Sequence, residues 1–287
     1  MDLKTYTFDE TKKESKTILQ LLNYFNLDRT VNVKLNYCEE IDNIAQCIID
    51  KYDLKIKLYD IRTIASVLHD SQNFTGIQAY YYFLFIADDL LVFKNIDYID
   101  VINALEGREN NLPQLVCQLI TICMKHWKNE FGLQYNFIRT EIITWVTSVN
   151  QQIQAQFSEN EYFIFKLKCH FSYLTLVLMF RTRNVSCTYL EYHLLKTIYE
   201  KFIFYINELG SCLREQGDGE ITSVDMLFKT NDFSRISEYC TQQIYNTMGE
   251  IEGKCNLMVK LEFLHLCKNT VFVHLAFDRY LKCYLEN

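Results

Sequence analysis

One proline and eight glycines in 287 residues leave this chain few means of making tight turns. A β-rich chain of that length needs many at its hairpins, whereas helices tolerate few of either in their interiors. The scarcity predicts an all-α protein before any pattern is read. Apolar and aromatic residues make up 49% of the chain, ample for one large core or two smaller domains. Short loop signals (DSQNFTG, EGRENNLP, SEN, RTRNVSC, GDGE) separate long stretches of helical periodicity. The periodicity predicts helices over 10–25, 38–52, 59–69, 76–93, 97–106, 113–130, 133–156, 160–180, 187–216, 222–228, 231–249 and 254–285. No repeat or Gly/Ser linker interrupts them. The expectation is a single α-domain over 1–287, with several helices apolar on more than one side, as in a bundle around a central space. Twenty Tyr and twenty Phe either fill that core or line a cavity in it.

Charge and cysteine usage narrow the function classes. The net charge is −7 and no basic tract stands out, which argues against a nucleic-acid partner. The N-terminal MDLKTYTFDETKKESK has no apolar segment of the kind a secretory signal needs. No apolar run approaches the roughly 20 residues of a membrane span. The eleven cysteines are scattered without a CxxC pair, so zinc and a disulfide framework both have little support. They read as reduced thiols of a cytoplasmic protein.

Three groups of residues carry chemistry. In INELGSCLREQ, Asn207, Ser211 and Glu215 recur every four residues. Such positions stack on one helix face and present three oxygen donors to a hard cation such as Mg²⁺. A solvated helix end is the alternative. Arg214 stands beside Glu215 and suits bidentate contact with an anion. In YYYFLFIADDLLVF, Asp88 and Asp89 are adjacent acids in an apolar helix, where a metal would relieve their repulsion and lost hydration. An outward-facing pair is the alternative. Arg279-Tyr280, near the end of the sequence, forms a donor pair suited to phosphate, with a surface Arg and a packed Tyr as the alternative.

Their order along the chain resembles the class I terpene synthases of microbial type. YFLFIADDLLVF is similar to that family's aspartate-rich helix, NELGSCLRE to its second metal motif, and Arg279-Tyr280 to its terminal RY pair. Trp127 and EYFIFK (161–166) fall where the family has a Trp-led helix and the start of its pocket helix. The resemblance covers roughly residues 55–285. It implies the class I terpenoid synthase fold, a helical bundle around a central active-site cavity. It also implies three Mg²⁺ ions holding the diphosphate of a linear prenyl diphosphate, most simply farnesyl diphosphate. Asp88 would anchor the ions on one side, with Asp89 beside it, and Asn207, Ser211 and Glu215 on the other. Lys166, Arg214, Arg279 and Tyr280 would donate to the diphosphate, with Arg183 the rival of Lys166. Tyr82 and Phe85, two turns and one turn before the acid pair, would line the pocket.

The chain departs from the family pattern in two places. The family's third acid, three or four positions after the pair, is replaced by Val92 and Phe93; the next acid is Asp97. The pocket-helix arginine is replaced by Lys166. Two other functions stay open: an isoprenyl chain-elongating synthase, which needs a second aspartate-rich motif where Asp232 stands alone, and a non-catalytic helical binding protein. The oligomeric state is open too, a homodimer included.

Overall fold

A computed structural model of the chain describes residues 3–12, 14–35, 38–69, 75–93, 95–154, 158–169, 172–217, 223, 227–277 and 280–286. Of residues 152–154, 168–169, 172–173, 213–217 and 286, the backbone alone is described. In chain order the elements begin with β1 (Leu3–Phe8), α1 (Ser15–Tyr24), β2 (Thr30–Lys34), α2 (Glu39–Tyr52), α3 (Leu58–His69) and α4 (Thr75–Val92). They continue with α5 (Tyr98–Glu106), α6 (Gln114–Phe131), α7 (Tyr135–Gln154), α8 (Glu159–Cys169) and α9 (Ser172–Thr182). The last are α10 (Tyr189–Gly217), α11 (Phe233–Gly249), α12 (Leu257–Ala276) and β3 (Tyr284–Glu286). The protein is mostly helical, with one small sheet. No helix among the described residues is long and apolar enough to cross a membrane. The ten described cysteines are free thiols, and five of them are buried.

The chain forms two compact units. Unit 1 is Met1–Leu3 with Val33–Gln156, and unit 2 is Lys4–Asn32 with Phe157–Asn287.

Unit 1 is built on α4, which packs against α2, α3, α6 and α7. Every residue from Gly76 to Phe83 is buried, so α4 is apolar round most of its circumference rather than along one stripe. A neighbouring carboxylate fixes its start. A Cβ at Gly76 would lie 3.0 Å from Glu130 Cβ, and the bare Cα lets Glu130 Oε2 accept the Gly76 N–H at 2.7 Å. A carboxylate there also answers the positive end of the helix dipole. Further along, Tyr82 donates its hydroxyl to Asp42 of α2, which Arg62 of α3 holds at 2.8 Å. Helix α5 starts on an Asp97 cap that accepts the Ile99 N–H at 2.7 Å, and it ends on Gly107 in the left-handed region.

Unit 2 is built on α10, against which α8, α9, α11 and α12 pack. Its start is a capping box. Glu191 accepts the Thr188 N–H at 2.8 Å and the Thr188 hydroxyl at 2.9 Å. The other Glu191 oxygen accepts from Asn256, through the backbone N–H at 2.7 Å and the side-chain amide at 2.9 Å. Asn256 in turn caps α12 by accepting the Val259 N–H. One carboxylate therefore ties the first turns of two helices. These four donors hold its pKa down to about 2.

The sheet is where the structure departs from an all-helical reading. Strand β1 lies between β2 and β3 and pairs antiparallel with β3, Tyr6 opposite Glu286 and Phe8 opposite Tyr284. The helix expected over 254–285 thus stops at Ala276, and the chain turns into a strand. The alternate residues Tyr6 and Phe8 are buried, and Tyr6 packs edge-on to Phe272 while Phe8 meets Tyr284. Tertiary pairing with the first strand overrides the helical periodicity of the last residues. At the other end, the helix expected from residue 10 starts at Ser15, because Asp9 accepts from the Thr11 N–H and hydroxyl and turns the chain. The stretch expected as one helix over 160–180 is the pair α8 and α9. The expected helix over 222–228 lies outside the described residues, apart from Ser223, Leu227 and Phe228.

Replacing Glu191 with Gln removes the charge that both helix starts share. The substitution should lower the melting temperature at pH 7. It should also flatten the acid limb of the stability curve. The folded-state pKa lies below the unfolded one, so this stabilisation is full above about pH 4.5 and is lost as pH falls toward 2. Thermal melts of both proteins across pH 2–7 measure the difference.

Candidate functional site

The two sequence motifs sit on the two central helices, one in each unit. In unit 1, the acid pair occupies the last turns of α4. The run that precedes it is wrapped by four helices, so two adjacent acids cannot both face water. Asp89 is buried at 3% exposure, and its Oδ2 accepts the Ile56 N–H at 3.0 Å. It thereby pins the link between α2 and α3 to α4. Asp88 is half-buried and points elsewhere, as consecutive helix positions must. Tyr82 is fully buried, with its hydroxyl given to Asp42; burial and the Asp42 charge push its pKa up. Phe85 is half-buried and stacks on Tyr81, whose hydroxyl lies 2.7 Å from His69 Nε2. Trp127 of α6 is buried edge-on to Phe83. Asp97 is the α5 cap, and Lys55 lies over the Phe93 ring at 4.9 Å. Neither position after the acid pair carries a third carboxylate.

In unit 2, the second motif runs along α10. Asn207 Nδ2 donates to Ser211 Oγ at 3.1 Å, so the two expected oxygen donors meet on one face, one turn apart. That bond uses the amide nitrogen and leaves the Asn207 side-chain oxygen out of it. Ser211 is buried and Asn207 half-buried. Arg214 and Glu215 belong to α10, but their side chains lie outside the described residues, as does Arg279.

Tyr280 comes to the same stretch of helix. A Cβ built on Gly210 would lie 3.1 Å from Tyr280 Cβ and 3.4 Å from its ring. A side chain at 210 would force Tyr280 to shift by a few tenths of an ångström, and glycine lets it approach α10 closely between Asn207 and Ser211 in sequence. The Tyr280 ring also meets His274, at a centroid distance of 4.2 Å. His274 is fully buried and its Nδ1 lies 2.8 Å from the Thr270 carbonyl; burial pushes its pKa down to about 4, so it is neutral at pH 7.

Lys166 of α8 is buried, and its ammonium lies 3.9 Å from Glu208 Oε1, with the Tyr162 ring 5.8 Å away. Glu208, the residue after Asn207, is itself fully buried. Burial first, and the Glu208 charge second, hold the Cys240 thiol of α11 well above its usual range. The positive charge expected at a diphosphate is thus set against a carboxylate of the motif helix. Arg183 is engaged on α12, 3.0 Å from His265 Nε2 and 3.6 Å from Glu262. Asp232 caps α11, accepting the Ser234 N–H at 3.0 Å.

Spacing alone predicted the Asn207–Ser211 face but not the Lys166–Glu208 pair, whose members are 42 positions apart with no local signal. The Thr188-x-x-Glu191 capping box was readable as S/T-x-x-E; its second partner, Asn256, was not. Among the described residues no three His, Cys, Asp or Glu side chains come together as a metal cluster. The α10 donors are of another type, an amide and a hydroxyl oxygen, and both suit Mg²⁺. No family model and no curated protein matches the chain.

Three substitutions test the structural roles of these buried charges. Lys166→Met leaves the Glu208 carboxylate buried without its cation and should cost about 3–5 kcal/mol in urea unfolding. Adding Glu208→Gln should recover most of that loss. Asp89→Ala should cost about 1–3 kcal/mol by stranding the Ile56 N–H.

Proposed function

We propose that the chain is a magnesium-dependent class I terpene synthase that ionises a linear prenyl diphosphate and converts the carbocation to a terpene hydrocarbon or alcohol. The observation that carries this reading is on α10: Asn207 and Ser211 share one helix face, and Tyr280 of the RY pair packs on Gly210 beside them. Two groups that the sequence resemblance joins only by order, the second metal motif and the RY pair, are thereby connected through one helix. A mostly helical fold agrees with the reading, as does the buried aromatic run that precedes the acid pair on α4.

In this reading Asp88 is the metal ligand of the first motif, and Asn207, Ser211 and Glu215 are the ligands of the second. Bound Mg²⁺ supplies charge neutralisation for the departing diphosphate. Tyr280, Arg214 and Arg279 donate to the diphosphate oxygens. Asp89 is a positioning residue, because its bond to Ile56 fixes the turn of α4 that presents Asp88. Lys166 serves by holding α8 on α10 through Glu208. Phe85 and its neighbours offer ring faces to a cation and no nucleophile to quench it. Farnesyl diphosphate is the substrate we favour.

The capping role of Asp232 weighs against a chain-elongating synthase, whose second aspartate-rich motif would have to include it. The capping role of Asp97 favours the second reading, a non-catalytic helical protein, since it leaves the first motif without a third acid.

Incubation with geranyl, farnesyl and geranylgeranyl diphosphates and Mg²⁺, followed by gas chromatography–mass spectrometry, decides between them. A terpene product from farnesyl diphosphate is expected. Asn207→Ala should reduce kcat by about 100-fold or more while leaving the melting temperature unchanged. Mg²⁺ with diphosphate should raise the melting temperature of the wild type. No product and no thermal shift would sink the synthase reading; longer diphosphates formed with added isopentenyl diphosphate would replace it with chain elongation.

A further inference from the structure

A cleft of about 470 Å³ opens on unit 2 between the end of α1, the end of α11 and the first half of α12. None of its lining residues belongs to α10, so it is separate from the Asn207–Ser211 face. Its size is that of a small-molecule site. The buried Met248 and Ile251, with the half-buried Leu264, make an apolar floor, and the more exposed Leu261 lies at its edge. Tyr24 forms an aromatic wall, its ring 4.5 Å from Tyr245.

The polar groups at the rim are not balanced in charge. Lys260 is offset by Glu252, with both carboxylate oxygens within 2.8 Å of its Nζ. His265 Nε2 faces two donors, Arg183 Nη2 at 3.0 Å and Asn269 Nδ2 at 3.1 Å, and so acts as an acceptor. Lys268 donates to the Asn26 carbonyl oxygen at 2.6 Å, a neutral partner, and no ion pair to it forms among the described residues. The exposed ammonium of Lys268, at the edge of the apolar floor, leaves one positive charge for a ligand to answer.

We propose that this cleft is a second ligand site that takes a small amphiphilic anion, its apolar body on the Met248–Leu264 floor and its charged group at Lys268. The proposal is independent of the synthase reading. The neutral Tyr24 hydroxyl adds a donor at the same mouth, its pKa raised by burial.

Two fluorescent probes of similar shape test the site: 8-anilinonaphthalene-1-sulfonate, an anion, and N-phenyl-1-naphthylamine, which is neutral. The anion should bind the folded protein saturably. Leu261→Glu, at a position already 51% exposed and therefore compatible with folding, should weaken both probes at least about tenfold. Lys268→Gln should weaken the anion about tenfold and leave the neutral probe unchanged. Circular dichroism checks that both variants fold. Excess Mg²⁺ with diphosphate should not displace the anion. Unchanged anion binding in Leu261→Glu, equal weakening of both probes in Lys268→Gln, or displacement by magnesium diphosphate would each overturn the assignment.

Discussion

A carboxylate inside an apolar helical core must find a donor or a cation, because its lost hydration costs several kcal/mol. Three carboxylates in this protein meet that demand in three ways. Asp89 takes a backbone N–H from a loop, Asp42 takes a guanidinium and a phenol, and Glu208 faces the ammonium of Lys166. Each solution joins elements that are distant in sequence. Asp42 links α2, α3 and α4; Asp89 fixes the connection between α2 and α3; Glu208 brings α8 to α10. The two central helices can carry polar motifs because their neighbours supply the partners.

Where local chemistry decides the structure, the sequence was readable. The scarcity of proline and glycine foretold the helices, and the expected ranges 38–52, 59–69, 113–130 and 231–249 lie within a residue or two of α2, α3, α6 and α11. The face shared by Asn207 and Ser211 followed from helix geometry alone. Where distant partners decide, it was not. Tyr284–Glu286 continue the helical periodicity but form a strand, because they pair with the first strand and Tyr284 packs on its Phe8 ring. Lys166 carries no local sign that Glu208 will lie beside it.

Carboxylates at helix starts show the same division. Asp97 and Asp232 each accept an N–H two residues ahead, the commonest structural use of an aspartate before a helix. In the sequence, Asp97 is only the next acid after the pair, and Asp232 stands alone where a second aspartate-rich motif would be needed. Position decides the use of such an acid. Asp88 and Asp89 lie inside a helix, where no cap is needed, and so their conjunction carries more weight than either capping acid.

Unit 2 is assembled from two stretches of chain, Lys4–Asn32 and Phe157–Asn287, with the continuous segment Val33–Gln156 between them. During synthesis that middle segment can close its own core as soon as α7 has emerged from the ribosome. The first strand has no such option. Strand β2 follows it within some thirty residues, but its antiparallel partner is the stretch Tyr284–Glu286, so Tyr6 and Phe8 stay without their β3 neighbours while about 275 more residues are translated, an interval of roughly 14–55 s at 5–20 residues per second. A nascent chain with buried-type aromatic residues exposed for that long is a natural client for a chaperone acting on its first thirty residues.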